Sequence, residues 1–466
     1  MIYSRCLRTT IKNANSYSTT AQTVAQNPLK NAQKSSTKRI KGMSDYLGES
    51  MAKLNLIESE AKKVMQLYGY NKIATPILEP VELFNKGLGE GSEVVVGKEL
   101  YELEDVKNGE RIALRPEGTA GVVRAFINHD LKYQLPQKFY YFGPMFRRER
   151  PQKGRLRQFH QFGAECIGIS STFNDVELIS QGYMLLKNLG LQDRVVLKIN
   201  SIGDSKSRQN YVQALKSYLD PYKDQLSEFS KLKLDINPIK ILDSKFSNDL
   251  KLISNGPQLL DYLNTSSSSH FEELQKELKI QGIPFEVDNN LVRGLDYYND
   301  TVWEFVSKPG EKSLGESQCT VLGGGRYQGL IEKLEGKFDQ SSEIPSIGWA
   351  CGAERLSLML NSIAQSAQTI RVIPMIHGTT AQYKDTIIAS SHRLAAVLRN
   401  QNFASEVTFP TKNSAKFLAQ LNSKFVIFIG EEEVKACQFT VKNWTTKEQF
   451  KAGEDGLVQL LKDQKA

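Results

Sequence analysis

Two extended apolar runs, Lys138 to Arg147 and Arg157 to Gly168, flank the polar stretch RERPQKGRLR. No other feature restricts the fold as much. Runs of this length on either side of a charged loop read as a long antiparallel hairpin, and a hairpin commits the chain to a sheet with two unlike faces. Successive side chains point to opposite faces. Arg157, Phe159, Gln161, Gly163 and Glu165 therefore share one face, and Gln158, His160, Phe162, Ala164 and Cys166 the other. The first set offers a cation, a ring, an amide, a gap and a carboxylate. Buried polar groups cost free energy unless paired, so Gln161 and Glu165 either form a structural hydrogen-bond network or meet a ligand on the sheet. Six cationic side chains also fall among the eleven residues from Arg147 to Arg157, which suits a nucleic-acid patch, a solvated turn or an active site.

Charge elsewhere narrows the first of these. The chain has 466 residues, enough for two or three domains, and a net charge of +8. Residues 1–44 contain no Asp or Glu and carry eight cations, from Arg5 to Lys41; setting those aside leaves 52 Lys and Arg against 52 Asp and Glu. The basic balance belongs to the leader and says nothing of nucleic-acid binding by the body. A basic, acid-free leader with Arg5, Arg8 and Lys12 at helical spacing has the pattern of an organelle transit peptide, with a plain disordered tail as the alternative. No apolar run reaches the roughly 18 residues of a membrane span. The five cysteines show no CxxC pairing and the histidines no HExxH spacing, so neither a disulfide framework nor a protein-bound catalytic metal is expected.

Along the body, MAKLNLIESEAKKVMQLYGY has apolar residues at helical spacing and Gly69 as a stop. NKIATPILEP reads as a strand broken by Pro76 and Pro80, and Leu103 to Leu114 as a hairpin turning at Asn108-Gly109. A helix is expected to open near Thr119 and an α-rich insertion to occupy about 200–285, with a break at Pro221. NLVRGLDYYNDTVWEFVS, CTVLGGGRYQGL and IPSIGWACGAERLSLML return to strands, the last leading into a helix near Glu354-Arg355. After the linker Asn361–Thr369, IRVIPMI, YKDTIIASSHRLAAVLRNQ and FVIFIG alternate strand, helix and strand, a separate α/β module.

Four further motifs carry chemistry. In RPEGT, Glu117 is either a dipole partner of the helix it precedes or a carboxylate for an ammonium group. In LVRGLDYY, Arg293 is costly in an apolar run without an anion, and a phosphate or carboxylate ligand is favoured over a core salt bridge. In GGGRYQGL, Gly323 to Gly325 allow a ligand close to the backbone or make a tight turn. In GWACGAERL, Arg355 is a surface residue or a guanidinium that stacks on a purine and clamps phosphate.

Together TPILEP, LRPEGTAG, GPMFRRERPQKGRLRQFHQFGAE, LVRGLDYYNDTVWEF and GGGRYQGL resemble class II aminoacyl-tRNA synthetases, and within them the bacterial-type histidyl-tRNA synthetases, from about Ile40 to the C-terminus. The resemblance implies an α+β fold: an antiparallel catalytic sheet with flanking helices over 39–360, the helical insertion, and an anticodon-binding α/β domain over 370–466, behind a leader of residues 1–38. It implies ATP-dependent ligation of histidine to tRNA(His) through histidyl-adenylate, with Mg²⁺ entering on ATP. In that scheme Arg147 holds the α-phosphate, Glu149 the adenine amino group, and Phe159 and Arg355 sandwich the ring, with Arg155 and Arg355 near the outer phosphates. Glu117, Gly118, Thr119 and Gln161 surround the amino group of histidine. Glu165 and Tyr298 read the imidazole, Tyr297 and Tyr327 complete the pocket, and Arg293 lies between the substrate carboxylate and the α-phosphate. Residues 71–85 resemble a dimer-forming motif, which implies a homodimer.

The chain departs from the family pattern at Gln328, where Asp is usual, at Trp349, and around Lys412 to Lys416, which is poor in basic residues. A regulatory paralogue and a non-catalytic tRNA sensor are the rival readings. The leader points to the mitochondrial matrix and leaves open an additional cytoplasmic form.

Overall fold

The computed structural model describes residues 37–89, 92–96, 99–104, 107, 109–315, 320–336, 343–362, 369–376, 378–379, 381–409 and 423–463. The chain divides into two compact units, residues 1–361 and 362–466.

The first unit is built on an eight-stranded sheet. Its strands run, edge to edge, Asn71–Lys72, Gln137–Phe146, Gln158–Ile167, Ser346–Gly352, Thr320–Arg326, Asn299–Ser307, Val195–Ser201 and Phe285–Val287. The inner pairs are antiparallel, whereas the short edge strands pair parallel with their neighbours. The hairpin forms as expected, with Gln137–Phe146 and Gln158–Ile167 each stopping one residue short at the loop end, and Tyr141 stands opposite Gly163, Gly143 opposite Gln161.

Parity sorts the side chains as the sequence suggests. Phe162, Ala164 and Cys166 are buried on the lower face with Ile347, Trp349, Cys351, Trp303 and Phe305. Helices Glu49–Leu67, Thr172–Asn188, Thr265–Ile280 and Ala353–Met359 contribute to that core. Trp349 packs on Phe162 at 5.8 Å and donates from its indole to Gln181 Oε1 at 3.1 Å, so its indole is satisfied where it is buried. The other face carries a second core around Val81, Phe84, Val123, Phe126, Tyr211, Tyr297, Tyr298 and Tyr327.

Four expectations need correction or refinement. The strand expected from Asn290 starts only at Asn299; residues 291–298 form a loop. There Asp296 N–H donates to Leu88 O, and its carboxylate accepts from Asn237, so the loop is tied down outside the ladder. The segment NKIATPILEP splits into Asn71–Lys72 and Leu78–Pro80. The second piece joins Tyr101–Glu104 and Arg111–Leu114 in a separate three-stranded sheet. Gly109 has the left-handed φ of 71° a turn needs; Asn108 lies outside the described residues. The region after Ser201 is helical, with Ser205–Leu219 giving way at Pro221 to the 3₁₀ turn Asp220–Gln225.

The second unit holds a five-stranded sheet in the order Ser405–Val407, Ile370–Pro374, Phe425–Ile429, Phe439–Asn443, Gln449–Ala452. Its own core includes Ile387, Leu394, Ile427, Val441 and Leu457. Lys412 to Lys416, the leader to Ser36, and Cys6 and Cys319 lie outside the described residues.

Candidate active site

A cavity of about 620 Å³ opens on the sheet face that carries Phe159, Gln161 and Glu165. It is also lined by Glu117, Thr119, Arg147, Glu149, Arg155, Arg293, Tyr297, Tyr298, Tyr327 and Arg355. Every side chain that the resemblance assigns to a substrate thus borders one space, whereas Arg157 of the same expected face does not and packs against Gly42. Gly118, the remaining candidate, contributes its backbone N–H, which donates to Gln161 Oε1 at 3.1 Å.

The acidic end is built on the start of helix Thr119–Asn128. Glu117 accepts from the N–H groups of Thr119 and Ala120, both at 2.8 Å. This is the dipole-partner arrangement, and it also fixes a buried carboxylate at the cavity wall. Burial pushes the Glu117 pKa up, against the lowering effect of the Ala120 and Thr119 N–H groups. Glu165 is 1% exposed and lies among three hydroxyls. Tyr327 donates to it at 2.7 Å, Thr119 at 2.8 Å and Tyr141 at 3.3 Å. Burial raises its pKa to about 8, opposed by the Tyr327 and Thr119 hydroxyls, with the charge of Glu117 adding to the rise.

Glycines let this end close up. A Cβ at Gly348 would sit 1.7 Å from Glu165 Oε2, and one at Gly163 2.3 Å from the Tyr141 hydroxyl. The gap expected at Gly163 is therefore filled by Tyr141, a residue the sequence reading missed. Its pairing opposite Gly163 was the available signal, since a small residue on one strand makes room for a large one across the ladder.

The cationic end comes from the hairpin, the loop at Arg293 and the helix at Arg355. Arg147 donates from Nε to Pro116 O at 2.9 Å, and its guanidinium lies over the Phe159 ring at 5.4 Å. Arg155 and Glu149 form an ion pair at 3.3 Å. Arg355 donates to Gly154 O at 3.0 Å and Thr320 O at 2.6 Å. Burial lowers its pKa, as do the nearby Arg155 and Arg147, while Glu149 opposes them.

Arg293 borders the cavity, and the salt bridge weighed against a ligand anion also forms, with Glu304. The guanidinium also lies over the Tyr298 ring at 5.4 Å. Although burial opposes it, Tyr298 and Glu304 raise the Arg293 pKa. Glu304 was overlooked because its significance depends on strand Asn299–Ser307 turning it toward a loop residue. Gly323 to Gly325 make no tight turn, and Gly323 borders the cavity. They sit inside strand Thr320–Arg326, where a Cβ would meet the Arg293 guanidinium, Gly348 O and Tyr298 respectively within 2.7 Å. Gln328, at the departure noted in GGGRYQGL, exchanges hydrogen bonds with Asn299 at 2.9 and 3.4 Å.

Among the described residues no group of three or more His, Cys, Asp or Glu could hold a metal ion, and no helix is long and apolar enough to cross a membrane. Cys166 and Cys351 are free and buried, Cys437 free and exposed.

An antiparallel sheet with a polar cavity on one face, crossed by an arginine-bearing hairpin and closed by a glycine-bearing strand that runs into an arginine-bearing helix, is the architecture of a class II aminoacyl-tRNA synthetase. The structure matches that of apo S. aureus histidyl-tRNA synthetase with a TM-score of 0.71 at 31% identity, covering 91% of this chain and 99% of the other. The histidyl-tRNA synthetase family model matches residues 42–356. A histidine–tRNA ligase of Lactococcus lactis subsp. cremoris is 41% identical over 420 residues, 88% of this chain and 93% of the relative. One from Gluconobacter oxydans is 39% identical over 423 residues, 90% and 97% of the two chains. The chain belongs to the histidyl-tRNA synthetase family.

Proposed function

We propose that the protein ligates L-histidine to tRNA(His) at the expense of ATP, through a histidyl-adenylate. The observation that carries this is the polarity of one cavity: a hydroxyl-ringed carboxylate at one end and four guanidinium groups at the other. Glu165 suits a side chain that donates N–H groups, and an analogue lacking them would leave a buried carboxyl unmatched. Glu117, Thr119 and Gln161 take the ammonium group, Tyr298 shares the imidazole with Glu165, and Tyr297 and Tyr327 close the pocket. Phe159, Glu149 and Arg355 hold adenine, and Arg147, Arg155 and Arg355 the phosphates.

Both reactants are anionic where they meet. The histidine carboxylate attacks the α-phosphorus in line and pyrophosphate leaves, while Arg147 and Arg293 offset the repulsion and stabilise the charge that develops. No covalent enzyme intermediate is required; orientation supplies much of the rate. Mg²⁺ arrives as part of the nucleotide substrate. The terminal ribose hydroxyl of the tRNA then attacks the adenylate carbonyl and AMP leaves as the ester forms, with Arg150 and Lys153 on the hairpin loop left to meet the acceptor end. In this reading residues 39–360 are the catalytic domain, about 200–285 its insertion, and 370–466 the anticodon-binding domain.

The acid-free leader with its eight cations supports residues 1–38 as a transit peptide and the mitochondrial matrix as the site of action. A fusion of residues 1–40 to a fluorescent reporter tests it: matrix fluorescence is expected, and a diffuse cytosolic signal overturns it. The enzymatic reading is tested by histidine-dependent ATP–pyrophosphate exchange with the full chain. Exchange that requires histidine supports it; its absence leaves a regulatory paralogue or a tRNA sensor.

A further inference from the structure

Behind the nucleotide end of the cavity lies a set of contacts the reaction above does not use. His160 points to the opposite face from Phe159, and its backbone N–H lies where pairing with strand Ser346–Gly352 has ended at Gln161. That N–H donates instead to both carboxylate oxygens of Glu354 at 2.9 Å, and His160 Nδ1 lies 2.9 Å from Glu354 Oε1. Glu354 precedes Arg355 in helix Ala353–Met359, so one carboxylate ties the Phe159 strand to the Arg355 helix.

A segment far away in sequence completes the tie. The Tyr46 hydroxyl donates to Glu354 Oε1 at 2.8 Å, and its ring meets His160 edge-on at 5.6 Å. Burial, then the charge of Glu354, push the Tyr46 hydroxyl above the ordinary phenol range, so it stays a donor. Four residues earlier, Gly42 O accepts from Arg157 N at 2.7 Å and Gln158 N at 3.4 Å, at the base of the charged loop where Arg147 N–H donates to Arg157 O. Gly42 has a left-handed φ of 87°, and a Cβ there would lie 2.9 Å from both Arg157 and Pro151. The close approach requires glycine.

We propose that residues 40–46 are a positioning strap for the nucleotide half of the site: Gly42 holds the base of the charged loop, and Tyr46, through Glu354 and His160, fixes Arg355 against the strand of Phe159. Histidine recognition, built on Glu117, Gln161 and Glu165 with the helix at Thr119, does not pass through these contacts. The strap therefore separates ATP affinity from histidine affinity, and any processing of the leader compatible with activity ends before Gly42. The inference rests on the assignment of Phe159 and Arg355 to ATP.

Calorimetric titration of the full chain with ATP and, separately, with histidine tests it. Tyr46→Phe is expected to raise the ATP Kd about tenfold, the usual worth of one hydrogen bond to a charged acceptor, and to leave the histidine Kd within about twofold. Gly42→Ala should act in the same direction. Should that variant fail to fold, Tyr46→Phe decides alone. An unchanged ATP Kd in Tyr46→Phe, or equal weakening of both ligands, overturns the strap. Wild-type protein that binds ATP yet shows no pyrophosphate exchange refutes the ligase reading and leaves the strap to stand on its Kd ratio. Wild-type protein that binds no ATP refutes both.

Discussion

Glu165 illustrates how one residue carries stability and specificity at once. Its pKa is raised by burial to about 8, above the 4.5 it takes in the unfolded chain, so between those values the folded state binds the extra proton. Stability from this group is present below about pH 4.5 and is lost as pH rises through about 8. Replacement by Gln removes that titration. The stability of Glu165→Gln relative to wild type should rise from pH 5 to pH 8 by roughly 1–4 kcal/mol, read from urea unfolding at the two pH values. A flat difference would show that the carboxyl ionises freely in the fold. Arg293 makes the complementary case. Its pairing with Glu304 leaves the buried Nε of this cavity-lining residue without a hydrogen-bond partner. Arg293→Ala should lower the rate of pyrophosphate exchange about 10²- to 10³-fold, the loss typical of one charge-stabilising donor. It should leave tRNA binding, measured by filter retention, near wild type. Exchange at the wild-type rate would refute the assigned role.

At the scale of elements, the hairpin and its face were legible in the sequence because strand parity is a local property: Phe159, Gln161 and Glu165 had to share a side. The partners from other elements were not. Tyr141, Glu304 and the true work of Gly323 to Gly325 depend on which strand lies next to which, a relation that no local pattern encodes. The apolar content of LVRGLDYY reads as strand, while the restraint that makes it a loop comes from Leu88 and Asn237 on Asp296. Arg326 is a further long-range case. It stands beside Tyr327 yet turns away from the cavity, 2% exposed, onto Asp175 of helix Thr172–Asn188 at 2.8 Å. It also donates to the carbonyls of Ser170 and Ser171. His270 reaches the same carboxylate at 2.6 Å. Asp175→Ala would strand a buried guanidinium and is expected to cost about 3–5 kcal/mol in chemical denaturation. The double change Asp175→Leu with Arg326→Met should recover most of that loss. If the single variant loses less than about 1 kcal/mol, the pair does not hold strand to helix.

At the scale of the whole molecule, the three-stranded sheet has one face that the described residues leave partly exposed. Pairing sets Leu78 opposite Leu114, Leu114 opposite Tyr101, and Ile112 between Pro80 and Leu103. These side chains share a side, and Leu78 and Leu103 are 46% and 49% exposed. The reverse side is satisfied: Ala113 is buried and Glu79 pairs with Arg124 at 2.7 Å. An apolar face on so short a sheet is a liability for a monomer and a natural seam for a two-fold partner. It falls within and beside the residues 71–85 that resemble a dimer-forming motif, and we propose that it seats a second copy of the chain. Fully burying a leucine contributes about 1.5–3 kcal/mol, and with half of each already buried, Leu78 and Leu103 from two subunits would contribute on the order of 3–6 kcal/mol to association. Leu78→Glu with Leu103→Glu removes that term and sets like charges across the axis. Sedimentation at micromolar concentration should give a dimer for wild type and a monomer for the double variant, with the ATP Kd of the variant reporting whether the site survives alone. Wild-type protein that sediments as a monomer would leave this apolar face without a partner of its own kind.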